Sequence, residues 1–472
     1  MTVGWLAAAV AGRIVSGDPD QVVGNIVTDS RSLQAGDFFI ALRGARFDAH
    51  EFVEEALRRG ALGALVGVGR PFTGRQISEA GREAPPHEPA IVEVAVTTVA
   101  LQDLAHAVRE ATETKVIAIT GSAGKTTTKD TVSDFLSESY RVVKNKGNLN
   151  NHIGLPLSLM QLRDKPDVAV MELGMNHAGE ISTLVAIADP DVRVWTNVGD
   201  AHLGFFASPD TIADAKAEIL ESARPSDLLV AGFDDPRIRA RVGGFAGRTV
   251  TFGVSDRADV SASLVDHRGL DGMAATVKTP HGSVRLETPL LGTGNLLNLL
   301  AATAVASELG VPLAAIVERA AHLRPAAHRG ELLRLPGGVT LIDDSYNSSP
   351  AALKRSLETV RNATGSARKV AVLGEMLELG EHAMRLHEQC GWAAAQSGLD
   401  LLIAVGGPPA LRLAVAATTA GMPPATVIHV ATSAEAADAA QRKVRPGDLV
   451  LVKGSRGIRT DVVVERLKAE FA

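Results

Sequence analysis

The stretch Val116-Ile-Ala-Ile-Thr-Gly-Ser-Ala-Gly-Lys-Thr-Thr-Thr-Lys129 decides the architecture, because an apolar run stops abruptly at small residues, a lysine and three hydroxyls. It reads as a strand delivering a phosphate-binding loop into a helix. Gly121 and Gly124 let backbone N–H groups approach phosphate oxygens closely, and the helix opening near Lys125 points its positive end at the same anion. Lys125 is then expected on the terminal phosphates of a nucleotide and Thr126 on a magnesium ion. A full G-x-x-x-x-G-K-[ST] pattern would need glycine at position 119, where this chain has Ile119, so the loop is of the shorter G-x-x-G-K-T form.

The bulk composition narrows what surrounds this loop. At 472 residues the chain exceeds one ordinary core, so several domains are expected. With 46% hydrophobic and 22% charged residues it reads as a soluble globular protein. A net charge of -6 argues against dependence on nucleic acid, which requires a basic surface. Cys390 is the only cysteine, which excludes a disulfide framework or a thiolate metal site and fits a reducing cytoplasm. The apolar start Trp5 to Ala11 lacks a basic leader and is too short to cross a bilayer, so it is expected to be a short helix with no membrane insertion.

Patterning divides the chain into three α/β blocks. Residues 1–110 alternate short strand runs, such as Asp37 to Leu42 and Ala90 to Ala95, with helical patterns such as His50 to Arg59, which suggests a small N-terminal α/β domain. Within it Thr28 to Asp37 is polar and turn-rich: either a solvated loop or one that holds an anionic or sugar-like group. Pro71 to Pro89 reads as a loop. Residues 111–323 repeat buried strands that end in polar residues: the phosphate loop, Asp167 to Leu173 with Glu172, and Val192 to Val198 followed by Asp200 and His202. A mostly parallel sheet collects ligands beyond its carboxyl strand ends, so Lys125, Thr126, Glu172 and His202 are expected in one cleft. Gly243 to Gly294 reads as short strands and turns, an insertion or a sheet extension. After it, Asn295 and Asn298 share a helix face, which suits either a nucleobase edge or a capping role. Residues 324–472 form a doubly wound, Rossmann-like domain whose strands end at Asp343 to Asn347, Gly374 to Met376 and Lys453 to Arg456.

Several of these segments together carry a resemblance. Thr120 to Lys129, Gly292-Thr-Gly-Asn-Leu-Leu-Asn298, His328-Arg-Gly-Glu331 and Asp343-Asp-Ser-Tyr-Asn347 resemble, in order and spacing over nearly the whole chain, the ATP-dependent Mur ligases of bacterial cell-wall (peptidoglycan) synthesis. Asn148 to Pro156, Met171 to Asn176, Asp344 to Pro350 and Leu373 to Gly380 look most like the members that join D-alanyl-D-alanine to a UDP-N-acetylmuramoyl-tripeptide. The resemblance implies ATP held by Gly121, Ser122, Ala123, Gly124, Lys125, Thr126 and Thr127, with Asn295 at the adenine and Arg329 and Asp344 at the phosphates and ribose. It implies magnesium, as two ions, on Thr126, Glu172, His202 and a carbamylated Lys216, with Lys125, Lys216 and His202 as catalytic groups. Ser30 and Arg31 would lie at the uridine nucleotide, Asn148 and Asn151 along the muramoyl peptide, and Ser455 and Arg456 at substrate.

The implied chemistry is acyl-phosphate formation from ATP followed by amine attack, performed by a cytoplasmic monomer. Two alternatives stand beside it. One is a sister ligase, such as the enzyme adding the third peptide residue or a folylpolyglutamate synthase. The other is a nucleotide-binding switch that hydrolyses ATP slowly. The sequence departs from the family's expected continuation at Gly457 to Asp461.

Overall fold

The computed structural model describes residues 1–44, 47–69, 88–200 and 203–472, and every count of elements refers to these. His202 and most of the Pro71 to Pro89 loop lie outside the described residues. The chain divides into two compact units, the first comprising residues 1–118, 141–174 and 180–191, the second 119–140, 175–179 and 192–472.

In the first unit, strands β1 (Arg13–Ser16), β2 (Ile26–Val27), β3 (Phe38–Ile40), β4 (Gly63–Gly67) and β5 (Ala90–Val94) form one sheet in the order β1-β5-β4-β3-β2. β2 to β5 run parallel and β1 is antiparallel to β5. Successive side chains of a strand face opposite ways. Phe38, Ile40, Leu65 and Val92 therefore pack under helices Val3–Ala9 and Thr97–Glu110, while Phe39, Val66 and Ile91 pack under helix Val53–Arg58. β3 to β5 are buried on both faces, which is why they read as largely apolar runs.

The same unit carries β6 (Lys115–Thr120), β7 (Val142–Lys144) and β8 (Val168–Glu172), side by side in the order β6-β8-β7. The start of β6 is pinned by one carboxylate. Asp191 Oδ2 accepts from Arg109 at 2.8 Å and from the backbone N–H of Val116 at 2.8 Å. Arg109 also donates to the carbonyls of Ala188 and Asp189. β6 is thus fixed at its entry, and its last two residues, Ile119 and Thr120, pass into the second unit.

In the second unit β9 (Val192–Trp195), β10 (Leu228–Gly232), β11 (Arg248–Gly253), β12 (Val260–His267), β13 (Met273–Thr279) and β14 (Gly282–Thr288) lie in chain order. β9 to β12 are parallel and β12 to β14 antiparallel, so Gly243 to Gly294 is indeed a sheet extension. A further sheet has the order β15-β16-β20-β17-β18-β19, from β15 (Glu331–Arg334), β16 (Thr340–Asp344), β17 (Arg368–Gly374), β18 (Leu401–Val405), β19 (Val427–Val430) and β20 (Asp448–Lys453). All of its strands except β15 are parallel. One face packs on helices Ser433–Lys443 and Asp461–Glu470. Helix Ala383–Ala395 buries Cys390 with its Sγ 4.0 Å from the Pro350 carbonyl, and burial pushes the thiol up to about 12. The expectation of an α/β chain with three sheet-based parts, the last Rossmann-like, holds.

Candidate active site

β6 delivers the loop as its sequence requires. Val116 to Thr120 are fully buried, and helix Lys125–Leu136 begins directly after Gly124, which sits in the left-handed region at φ 82°. An L side chain there would be strained and blocked as well, since a Cβ on Gly124 would lie 2.2 Å from Asn298 Oδ1. Gly121 is equally constrained, because its Cβ would fall 1.9 Å from Thr196 Oγ1.

Two residues at the end of β9 shape the loop. Asn197 Nδ2 donates to the Ala123 carbonyl at 2.8 Å, and its Oδ1 accepts from Ala123 N–H at 2.9 Å. The Asn197 carbonyl accepts from Ser122 N–H at 3.1 Å, and Thr196 Oγ1 donates to the Ala123 carbonyl at 3.1 Å. Ser122 Oγ accepts from Gly199 N–H at 2.8 Å. The N–H groups of Ser122 and Ala123 are engaged by Asn197. The first turn of the helix, where N–H groups have no partner within the helix itself, offers donors to an anion. Lys125 Nζ donates to the Gly121 carbonyl at 2.9 Å, folded back over the loop.

Behind the loop, Asn298 is buried, accepts from Thr128 Oγ1 at 3.3 Å and donates to Asn295 Oδ1 at 3.2 Å. Asn295 in turn donates to the Leu291 carbonyl at 2.9 Å. Of the pair sharing a helix face, Asn298 bonds to Thr128 and Asn295, and Asn295 bonds back to the carbonyl one turn earlier; neither is a side-chain cap, which this helix lacks. At that helix start a Cβ on Gly294 would meet Arg355 Nε at 3.2 Å. Burial lowers the pKa of Arg355, and the charge of Asp344 opposes that shift. Asp344 Oδ2 accepts from Lys453 Nζ at 2.6 Å and from Ser356 Oγ at 2.8 Å. Asn298 and Asn295 thus stand behind the phosphate loop, and Arg355, beside Gly294, lies within the electrostatic reach of Asp344 at the carboxyl end of β16.

The same strand ends hold Arg329. Its guanidinium carbon lies 4.0 Å from the centroid of the Tyr346 ring, and that of Arg456 lies 5.6 Å from the same centroid. Such cation–π contacts hold a guanidinium in place without neutralising it. Next to them, the buried Asp343 accepts from Ser345 Oγ at 2.6 Å and lies 2.7 Å from His328 Nδ1, which fixes the turn carrying Arg329. Ser455 is buried and its Oγ accepts from Leu377 N–H at 2.9 Å, so it braces the Leu373 to Gly380 turn. That turn also receives Gly204 N–H on the Glu378 carbonyl at 2.7 Å.

Lys216 lies in helix Pro209–Ala217, which starts from a Ser208 and Thr211 capping box, and it is 1% exposed. Burial, and then the charge of Lys125, hold its pKa well below the ordinary lysine value of 10.5. Two lysines interact here inside the protein, and an anion between them would relieve both penalties.

Other predicted residues belong to the first unit. Glu172, 3% exposed at the end of β8, accepts from Asn150 Nδ2 at 2.8 Å, and its N–H donates to Asn145 Oδ1 at 3.0 Å. Asn145 and Asn150 were missed; a polar pair beside an intended carboxylate strand end was the available signal. Asn151 Oδ1 accepts from the N–H groups of Ile153 and Gly154, leading into helix Gly154–Leu159, and the Asn148 carbonyl accepts from Asn150 N–H. Ser30 and Arg31 form a short 3-10 turn capped by Asp29. Arg31 grips Asp29 in a two-pronged pair, at 2.9 and 2.7 Å, and its hydrogen bonds hold the Asp29 carboxyl down to about 2. Among the described residues no three His, Cys, Asp or Glu side chains converge to hold a metal. Taken singly, the oxygens of Thr126 in the second unit and of Glu172 in the first are each of the hard type that a divalent cation takes.

Three domain families match the chain: Mur ligase family, catalytic domain, over residues 22–115; Mur ligase middle domain over 119–306; and Mur ligase, glutamate ligase domain, over 328–456. The UDP-N-acetylmuramoyl-tripeptide--D-alanyl-D-alanine ligase of Bacillus subtilis is 32% identical over 467 residues, covering 99% of this chain and 98% of that one. Among solved structures, MurF from Acinetobacter baumannii is 32% identical with a TM-score of 0.86, over 99% of this chain and 98% of that one. MurF from Thermotoga maritima, in complex with ADP, is 30% identical with a TM-score of 0.80, over 95% of this chain and 97% of that one. With its fold, its phosphate loop and this full-length similarity, the chain belongs to the Mur ligase family.

Proposed function

We propose that the chain joins D-alanyl-D-alanine to UDP-N-acetylmuramoyl-tripeptide with hydrolysis of ATP to ADP and phosphate, giving the UDP-muramoyl-pentapeptide precursor of peptidoglycan. The observation that carries the reading is Lys216, buried within the electrostatic reach of Lys125 next to a helix-capped phosphate loop. Such a cationic site is built for a polyphosphate rather than for a neutral ligand. The work is divided at about residues 110 and 323, with the muramoyl nucleotide on the first part, ATP on the second, and Arg329 and Asp344 reaching ATP from the third.

The chemical problem is that a carboxylate repels nucleophiles and carries a poor leaving group. In the proposed reaction a carboxylate oxygen of the tripeptide attacks the terminal phosphorus of ATP, the bond to ADP breaks, and an acyl phosphate forms. The amine nitrogen of D-alanyl-D-alanine, after losing a proton, attacks the acyl carbon, and phosphate leaves from the tetrahedral intermediate. Lys125 and the first helical turn offset charge on the transferring phosphoryl. Magnesium, held by Thr126, Glu172, His202 and the carbamate of Lys216, would supply further charge compensation there. Arg329, held on Tyr346, is kept ready for the phosphates.

Two measurements test this. Phosphate release from the purified protein should require both the muramoyl-tripeptide and the dipeptide. Release with either one missing would turn the reading toward a hydrolytic switch. Arg329→Ala should raise the KM for ATP by about tenfold, the size of one lost charge-assisted contact, with the KM for the dipeptide little changed. An unaltered ATP requirement would remove Arg329 from the site.

A further inference from the structure

A second cavity lies wholly within the first unit and has no part in the chemistry above. It is open to solvent, with a volume of about 680 Å³, within the range of small-molecule pockets. Trp5, Val108, Leu157 and Met160 supply an apolar wall. Opposite in character are Arg163 and Lys165, with Asp164 the only acid among the described lining residues. Arg163 donates to the carbonyls of Val23 at 2.7 Å and Gly24 at 2.5 Å, and among the described residues no carboxylate lies within ion-pair distance of it. Its guanidinium is held in place by neutral partners at the cavity edge, with the charge of the neighbouring Asp164 acting on it from beyond ion-pair distance. Burial works against that charge, lowering the pKa of Arg163.

The position separates this cavity from the expected nucleotide loop. Gly24 and Asn25 precede β2, at its amino end, whereas Ser30 and Arg31 follow its carboxyl end. Ligands of parallel sheets collect at carboxyl ends, so occupancy here is not the muramoyl nucleotide site seen from behind.

We infer that this cavity binds an amphipathic organic anion, an aromatic or branched apolar body bearing one carboxylate or sulfonate, with Arg163 and Lys165 taking the anionic end and Trp5 and Met160 the body. The inference does not rest on the ligase reading. It ties the occupant to Val23 and Gly24, and through β2 to the turn of Asp29 to Ser32.

The probe is 8-anilinonaphthalene-1-sulfonate, titrated into the full-length protein with ADP saturating so that the phosphate loop is blocked. One saturable site per chain is expected, with probe emission excited through tryptophan and falling sharply in Trp5→Phe. N-phenyl-1-naphthylamine, the same ring system without the sulfonate, should bind at least about tenfold more weakly, the value of a charge-assisted contact. Lys165→Glu, an exposed change, should weaken the sulfonate probe about fivefold, and Ala111→Trp, which puts a large side chain on the cavity lining, should weaken binding of both probes. Arg163→Gln should act like Lys165→Glu, with its melting temperature measured alongside because it also releases Val23 and Gly24. Equal binding of the neutral probe, or unchanged binding in Ala111→Trp, overturns the assignment whatever happens at Arg163.

Discussion

Lys216→Ala is expected to lower ligation by about a thousandfold, the loss typical of removing a central electrostatic group, while the protein stays folded. The argument starts from burial. Lys216 is almost wholly enclosed and its pKa is pushed well below 10.5, first by burial and then by Lys125. Lowering the pKa favours the free amine, and a free amine is what adds to CO2: nitrogen bonds to carbon, one proton leaves, and a carbamate with a negative end results. That anion would offset Lys125 and complete an oxygen-rich metal site. Lys216→Arg should be equally inactive, because arginine stays charged and does not form a carbamate.

The same shift has a consequence for stability that separates this idea from simple damage. Between the lowered folded pKa and 10.5, the unfolded chain holds a proton that the folded chain lacks. Stability then rises with pH across that window. In CO2-free buffer the wild type should show this rise, and Lys216→Ala should show a flatter profile. Denaturant midpoints across the alkaline range, compared between the two proteins, read it directly. Full ligation by Lys216→Ala would end the carbamate proposal.

Gly124→Ala is expected to cut kcat/KM for ATP by about a hundredfold or more. Two costs combine: a left-handed backbone for a residue with a Cβ, about 1–2 kcal/mol, and a Cβ placed 2.2 Å from Asn298 Oδ1. The second cost is removable. Asn298→Gly in the same chain clears the space, so the double variant should recover part of the activity lost by Gly124→Ala alone. Strictly additive losses in this double-mutant cycle would mean that the steric contact is not what excludes a side chain at position 124.

The sequence made the parallel parts of the fold readable, because a strand buried on both faces is an apolar run that stops at small polar residues. It was least readable at sheet edges. β1 and β15 went unrecognised, and both are four-residue antiparallel strands with intermediate or exposed side chains, so no apolar run marks them. The loop's identity was legible in Gly121, Gly124 and Lys125; its support was not. Thr196 and Asn197 looked like the continuation of β9, yet β9 stops at Trp195 and these two side chains turn to hold the loop. Arg355 was invisible for a related reason. It sits mid-helix in an amphipathic pattern, where an arginine ordinarily faces water, and only the approach of the Gly294 helix encloses it. Residues that touch a ligand announce themselves by type and spacing, whereas residues that hold them in place depend on which elements meet.

Cys390 offers a practical consequence. It is the single cysteine of the chain, sealed inside a helix with a thiol that ionises only near 12, so at neutral pH it presents almost no thiolate to a maleimide or an iodoacetamide. The native protein is therefore a silent background for site-directed labelling. A cysteine placed at an exposed position such as Val254 or Leu411 would be the one reactive thiol in the molecule, and a fluorophore or spin label attached there would report on the parts of this ligase as substrates arrive, with no need to engineer the natural cysteine away.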